Sequence, residues 1–166
     1  MLYYRVKQFW RALFPLISTS ERAYVKQHIP PEALPLFFRQ SATEQRHALD
    51  VARDLESWEI PLSESEHRGL ILAALFHDCG KSLTGIKLWQ RVATVLLEHV
   101  PAGIRSKAEQ TRIITSVLQI AAEHAHWGSE LAREAGLSPT VCDLIREHHQ
   151  PKSHLSLLLQ KADNLN

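Results

Sequence analysis

Cysteine, glycine, proline and charge imbalance are all scarce in this chain. Its 166 residues include two Cys, six Gly and eight Pro. Cys79 and Cys142 form no Cys-x-x-Cys pair, which excludes a disulfide framework and points to a reducing, cytoplasmic compartment. No apolar run reaches the roughly 18 residues that a membrane span requires. The N-terminus lacks the charged start, apolar stretch and small-residue cleavage site of a secretory signal. Lys and Arg number 19 against 18 Asp and Glu, a formal net charge of +1. With no basic run either, the footprint of extended nucleic-acid binding is missing. Alternating strand segments, internal repeats and low-complexity tracts are absent as well.

Helix formers are abundant: 24 Leu, 17 Ala and 13 Glu. Ser-x-x-Glu capping boxes mark segment starts at Ser18–Glu21, Ser41–Glu44, Ser63–Glu66 and Ser106–Glu109. Ser138 followed by Pro139 marks another, with proline at the first helical position. The chain therefore reads as all-α, with helices expected at about 2–14, 19–28, 32–39, 42–58, 64–79, 86–99, 107–135, 139–149 and 153–164. The pattern also allows a break within 107–135. This length can bury a core without disulfides or a structural metal. Residues 1–40 read as a helical extension packed on a main body of 41–166. The first helix carries Leu2, Tyr3, Val6, Phe9, Trp10, Leu13 and Phe14 on one stripe, with Arg5, Lys7 and Arg11 towards the other side. Docking of that stripe on the chain's own core, or on a second subunit in a homodimer, is favoured over a membrane surface.

Ten histidines stand out. Residues 69–76 are apolar on every side and run straight into His77-Asp78. Ending a buried helix in an ionisable pair is costly unless its charge is compensated. A divalent cation would compensate it; a helix end that merely reaches solvent is the plain alternative. His47 shares a stripe with Val51, Leu55 and Trp58. His124 continues Ile113, Val117, Ile120 and Ala121, and His148 continues Val141, Leu144 and Ile145. Asp163 falls one turn after Leu159. One such histidine is usually a hydrogen-bonded core residue, but six polar positions on inner stripes would each need a partner. Imidazole and carboxylate together suit Mn, Fe, Co, Ni or Zn, and the lack of thiolate ligands argues against structural zinc. Asp50, Asp54 and Asp143 read as solvated helix charges, Asp50 lying near enough to His47 to support it.

His47, His77-Asp78-Cys79-Gly80-Lys81, His124-x-x-x-Gly128, His148-His149 and Ala162-Asp163-Asn164 follow one another in an order that resembles the HD-domain phosphohydrolase superfamily. The resemblance covers roughly residues 41–165. It implies a compact helical bundle with a metal site at its centre. It implies further that His47, His77, Asp78 and Asp163 hold a first divalent ion, and that His124 and His148 hold a second, with Asp78 bridging. His149 takes either part or orients a neighbour. His126, two residues from His124, is placed on another side of its helix, and His28, His67, His99 and His154 are read as surface residues. Family members that cleave cyclic dinucleotides carry a Gly-Tyr-Pro motif and a glutamate one turn before the first histidine. This chain has no such tripeptide, and Thr43 stands at the second position, which argues against a cyclic-di-GMP substrate and a third metal. Segment 82–123 lacks the family's better-known substrate loops.

The function this implies is hydrolysis of a small phosphate ester, that of a nucleotide, by a metal-bound hydroxide, with one or two transition-metal ions as cofactors. Asp78 and Lys81 are the expected catalytic pair, and Lys81, His149 and Arg146 the expected phosphate contacts. The competing class is a non-catalytic regulatory module that binds a nucleotide or a partner protein without turnover. Retention of all the main ligand positions favours the enzyme.

Overall fold

A computed structural model describes residues 16–83 and 112–166, giving only the backbone between 112 and 122. The helices expected at 2–14 and 86–99, the Ser106 capping box, and the side chains of Ile113, Val117, Ile120 and Ala121 lie outside the described residues. Within them the protein is all-α, without a strand. The helices are α1 (Thr19–His28), α2 (Leu34–Arg39), α3 (Ala42–Ser57), α4 (Glu64–Phe76), α5 (Arg112–Glu134), α6 (Pro139–Glu147) and α7 (His154–Leu165). Two 3-10 segments, Pro31–Ala33 and Cys79–Leu83, join α1 to α2 and follow α4.

Local chemistry sets the starts. Ser18, Ser41 and Ser63 each close a reciprocal capping box with Glu21, Glu44 and Glu66, satisfying two backbone donors that would otherwise be orphaned. At α6, Ser138 accepts from the Val141 backbone N–H while Pro139 opens the helix. Gly136 ends α5 with φ of +81°. Its N–H reaches the Arg133 carbonyl and that of Leu137 the Ala132 carbonyl, both at 3.0 Å, a Schellman closure that a side chain at Gly136 would strain. From Arg112 onward α5 is continuous, so the break allowed by the sequence is not present in that part.

Helix α4 is the axis of the bundle. Residues Leu70 to Phe76 are all buried, as expected for a segment apolar on every side, and α3, α6 and α7 pack around it. Val25, Ile29, Ala33 and Phe37 belong to the same core cluster as Leu49, Leu75 and Ile145, and Phe37 meets Phe76 edge-on at 6.2 Å between ring centres. No described helix is long and apolar enough to cross a membrane. Both cysteines are free and buried.

The helix expected at 64–79 stops at Phe76, with His77 as its C-cap. The chain then turns at His77 and Asp78 and tightens into Cys79–Leu83. Gly80 permits this. A Cβ there would stand 2.0 Å from the His124 carbonyl oxygen and 2.6 Å from the Gly128 nitrogen, so this turn lies directly on the backbone of α5. Cys79 Sγ donates to the Gly128 carbonyl at 3.5 Å across the same contact. The turn after α4 and the middle of α5 are thereby held together, which brings His77, Asp78 and His124 to one place.

Candidate metal centre

Five imidazoles and two carboxylates converge at the end of α4. His47 comes from α3, His77 and Asp78 from the end of α4, His124 from α5, His148 and His149 from the end of α6, and Asp163 from α7. Successive ring centres are 5.1 Å apart for His47 and His77, 5.2 Å for His77 and His148, and 5.3 Å for His148 and His124. His149 lies 3.9 Å from His148 and 4.8 Å from His124 on the same measure.

Two groups of potential ligands emerge among the described residues. In the first, His47, His77 and Asp163 bring their ligand atoms within 4.8 Å of one another. Asp163 Oδ1 lies 2.9 Å from His47 Nε2 and 3.5 Å from His77 Nε2. In the second, His124, His148 and His149 meet the same criterion, with 2.9 Å between the Nε2 atoms of His124 and His149. Asp78 stands between the groups. Its Oδ2 lies 3.6 Å from His77 Nε2, and its Oδ1 lies 3.4 Å from His124 Nε2 and 4.0 Å from His148 Nε2. Lys81 Nζ donates to Oδ2 at 2.6 Å.

Backbone carbonyls fix the tautomers of the two most buried rings. His77 Nδ1 donates to the Ala74 carbonyl at 2.9 Å, and His148 Nδ1 donates to the Ile145 carbonyl at 2.7 Å. Each ring's Nε2 lone pair is therefore aimed into the centre, the arrangement that orients metal-bound histidines. His77 Nε2, His148 Nε2 and Asp78 Oδ1 are buried and make no hydrogen bond among the described residues. Unpartnered buried polar atoms are expensive, and cations held by the two groups on either side of Asp78 would account for them. The donor set fits a divalent transition metal: imidazoles and carboxylates, with no thiolate. Burial pushes the Cys79 thiol above its ordinary range, so it contributes no soft ligand.

Electrostatics leave most of the ligands in the state that metal binding needs. Burial alone would raise the Asp78 pKa, but the Lys81 ammonium, His77 and His124 hold its carboxyl well below the ordinary range. Burial likewise opposes ionisation of Asp163, and the hydrogen bond from His47 with the nearby His77 ring overcomes it, keeping that carboxyl ionised. Burial, reinforced by His77, lowers His148 to about 3, so its ring is neutral at pH 7. His149 is lowered too, by burial and by His124. His77 goes the other way: burial favours its neutral form, yet Asp78 and Asp163 raise its pKa. Two anions beside one buried imidazole attract a cation of either kind, a proton or a metal.

A cleft of about 690 Å³ opens beside the second group. Lys81, His124, His126, Arg146, His149 and Lys152 contribute to its wall. Arg146 is exposed and paired with Asp143. His126, placed by the sequence on another side of the helix, lines the cleft together with His124. Lys152 and Gln150 carried no periodic or motif signal, since they lie in the connection before α7. Asp50, expected as a solvated helix charge, is instead buried and accepts from Arg46 at 3.0 Å. The four-residue spacing on α3 brings the two side chains together. Asp54 accepts from Asn166 at 2.8 Å. His67 and His154 are exposed, as expected, whereas His28 is partly buried.

A family model described as HD domain matches residues 45–166. No curated protein and no solved structure matches the chain. Every side chain gathered around Asp78 falls within the matched residues, and by that match the chain belongs to the HD domain family, within the metal-dependent phosphohydrolase superfamily.

Proposed function

We propose that the protein hydrolyses a phosphate ester of a nucleotide, with His47, His77, Asp78 and Asp163 holding one divalent ion and His124, His148 and Asp78 a second. The observation that carries this reading is Asp78: one buried carboxylate whose two oxygens face two separate histidine groups. A divalent ion bound there supplies a deprotonated water near neutral pH and neutralises charge on the phosphate oxygens.

The chain's own residues do the rest. Ionised Asp78 and Asp163 concentrate negative charge where the cations belong, and the carbonyl-anchored rings of His77 and His148 fix the direction of their lone pairs. Lys81, held against Asp78, presents an ammonium at the edge of the cleft, within reach of a non-bridging phosphate oxygen. Such preorganised charge contributes most where it meets charge developing in the transition state. His149 and Arg146 lie on the cleft wall as further phosphate contacts. In the reaction the oxygen of water forms a bond to phosphorus and the ester P–O bond breaks. The leaving oxygen takes up a proton, giving an alcohol and a phosphate.

The test is hydrolysis of aryl phosphate monoesters and diesters by protein reconstituted with Mn, Fe, Co, Ni or Zn, each compared with Asp78→Asn. Turnover that requires metal and falls at least a hundredfold in the variant is the expected result. Tight metal binding with no hydrolysis of any ester would instead favour the regulatory module.

A further inference from the structure

We propose that the cleft beside the metal centre holds a second phosphate of the substrate, with Lys152 and Arg146 as the residues that bind it. The substrate class is then a nucleotide carrying at least two phosphates. This inference rests on the phosphohydrolase reading, since it places the first phosphate at the ligand groups around Asp78.

Size is the first argument. At about 690 Å³ the cleft falls within the range of sites that enclose a whole small molecule, whereas a single phosphate group needs only a small part of it. Charge is the second. His124 and His149 mark the end of the cleft next to the ligand groups, and Lys81 joins them there. Arg146 and Lys152 add two more cations to the wall, against one carboxylate, that of Glu147, among the described residues. A concave surface lined by one sign of charge concentrates ligands of the other sign.

Lys152 is the decisive residue. Its backbone is fixed, because its N–H donates to Ser156 Oγ at 3.0 Å, within the hydrogen-bonded cap that opens α7. Pro151 immediately before it restricts the chain further. Its ammonium has no ion-pair or hydrogen-bond partner among the described residues. Lys152 is exposed, with its backbone held at the cleft and its ammonium free to reach an anionic oxygen bound there. Arg146 shares its guanidinium with Asp143 and keeps further donors for a phosphate, the group that its planar fork suits.

The test compares inorganic pyrophosphate with orthophosphate, by calorimetric titration of the metal-loaded protein and of Lys152→Ala. Chelation of metal by each probe is the same for both proteins, so their difference reads the cleft. The wild type should prefer pyrophosphate, and Lys152→Ala should lose about tenfold of that preference, the order of one charge-assisted contact. Lys152→Arg should keep it, and Lys26→Ala, an exposed lysine on α1 away from the cleft, should not change it. Circular dichroism checks that each variant is folded. Equal pyrophosphate-to-phosphate ratios for wild type and Lys152→Ala would overturn the proposal. Should the ratio depend on Lys152 while no phosphate ester is turned over, the hydrolase reading fails and the second-phosphate site stands.

Discussion

At Asp78 a single side chain faces Lys81 and His77 with one oxygen and His124 and His148 with the other. The sequence made this position legible, because a fully apolar helix running into His-Asp leaves buried charge to be explained. His47, His124, His148 and Asp163 were legible for a related reason: each interrupts an apolar stripe. The cleft residues were not. His126 sits two positions from His124, an offset that helical periodicity assigns elsewhere, and Lys152 belongs to a connection with no period. Gly80 showed only as part of a motif; its role is steric. Replacing Gly80 by Ala would drive a methyl group into the His124 carbonyl, 2.0 Å away. The expected loss is on the order of 2–3 kcal/mol of folding stability, as in overpacked cores, measured by urea unfolding. Metal affinity should fall with it, since the displaced backbone carries His124; a variant with unchanged stability and affinity would contradict the packing described.

The serine-capped starts of α1, α3, α4 and α6 were readable to the residue, and so were the ends of α1 and α2. Helix α2 was expected at 32 and starts at Leu34 after a 3-10 turn, and the end of α4 was placed three residues late. Ser18, Ser41 and Ser63 announce their helices through a serine and a glutamate three positions on, a purely local signal. The start of α7 was also placed within a residue, although its box pairs Ser153 with Ser156 rather than with an acid. The end of α4 depends on a distant partner, because the turn at His77 forms where Gly80 meets α5. No local signal between 64 and 79 marks that boundary. An element-scale consequence follows for α3, which carries His47. Ser41→Ala should cost about 1 kcal/mol in chemical denaturation, through loss of the bond from the Glu44 N–H. It should leave metal affinity unchanged, because His47 lies beyond the first turn and is held by packing of Ala48, Val51 and Leu55.

Across the whole molecule, α1 is tied to α3 by charge as well as by core contacts. Glu21 accepts from Arg46 at 2.6 Å and from Arg53 at 2.7 Å, and Arg46 also reaches Asp50. Burial would raise the Glu21 pKa, but the Ser18 N–H and Arg46 outweigh it and lower the group from 4.5 to about 2. The folded state therefore gains stability from ionised Glu21 above pH 4.5, and that gain is lost as the pH falls towards 2. A shift of this size corresponds to roughly 3 kcal/mol at most. Urea unfolding between pH 5 and pH 2 should show the loss in the wild type, and Glu21→Gln should be less stable at pH 5 with a flatter dependence below it. Parallel pH profiles for the two proteins would count against the network. The capping glutamate at position 21 was visible in the sequence, but its second role was not, since Arg46 and Arg53 lie on another helix.

The most direct measurement is a calorimetric titration of Mn²⁺ into metal-stripped protein, for the wild type and for Asp78→Asn. Binding of two ions per chain by the wild type, with loss of at least a hundredfold in affinity in the variant, is the expected result. Equal metal affinity in the two folded proteins would contradict a centre built around Asp78.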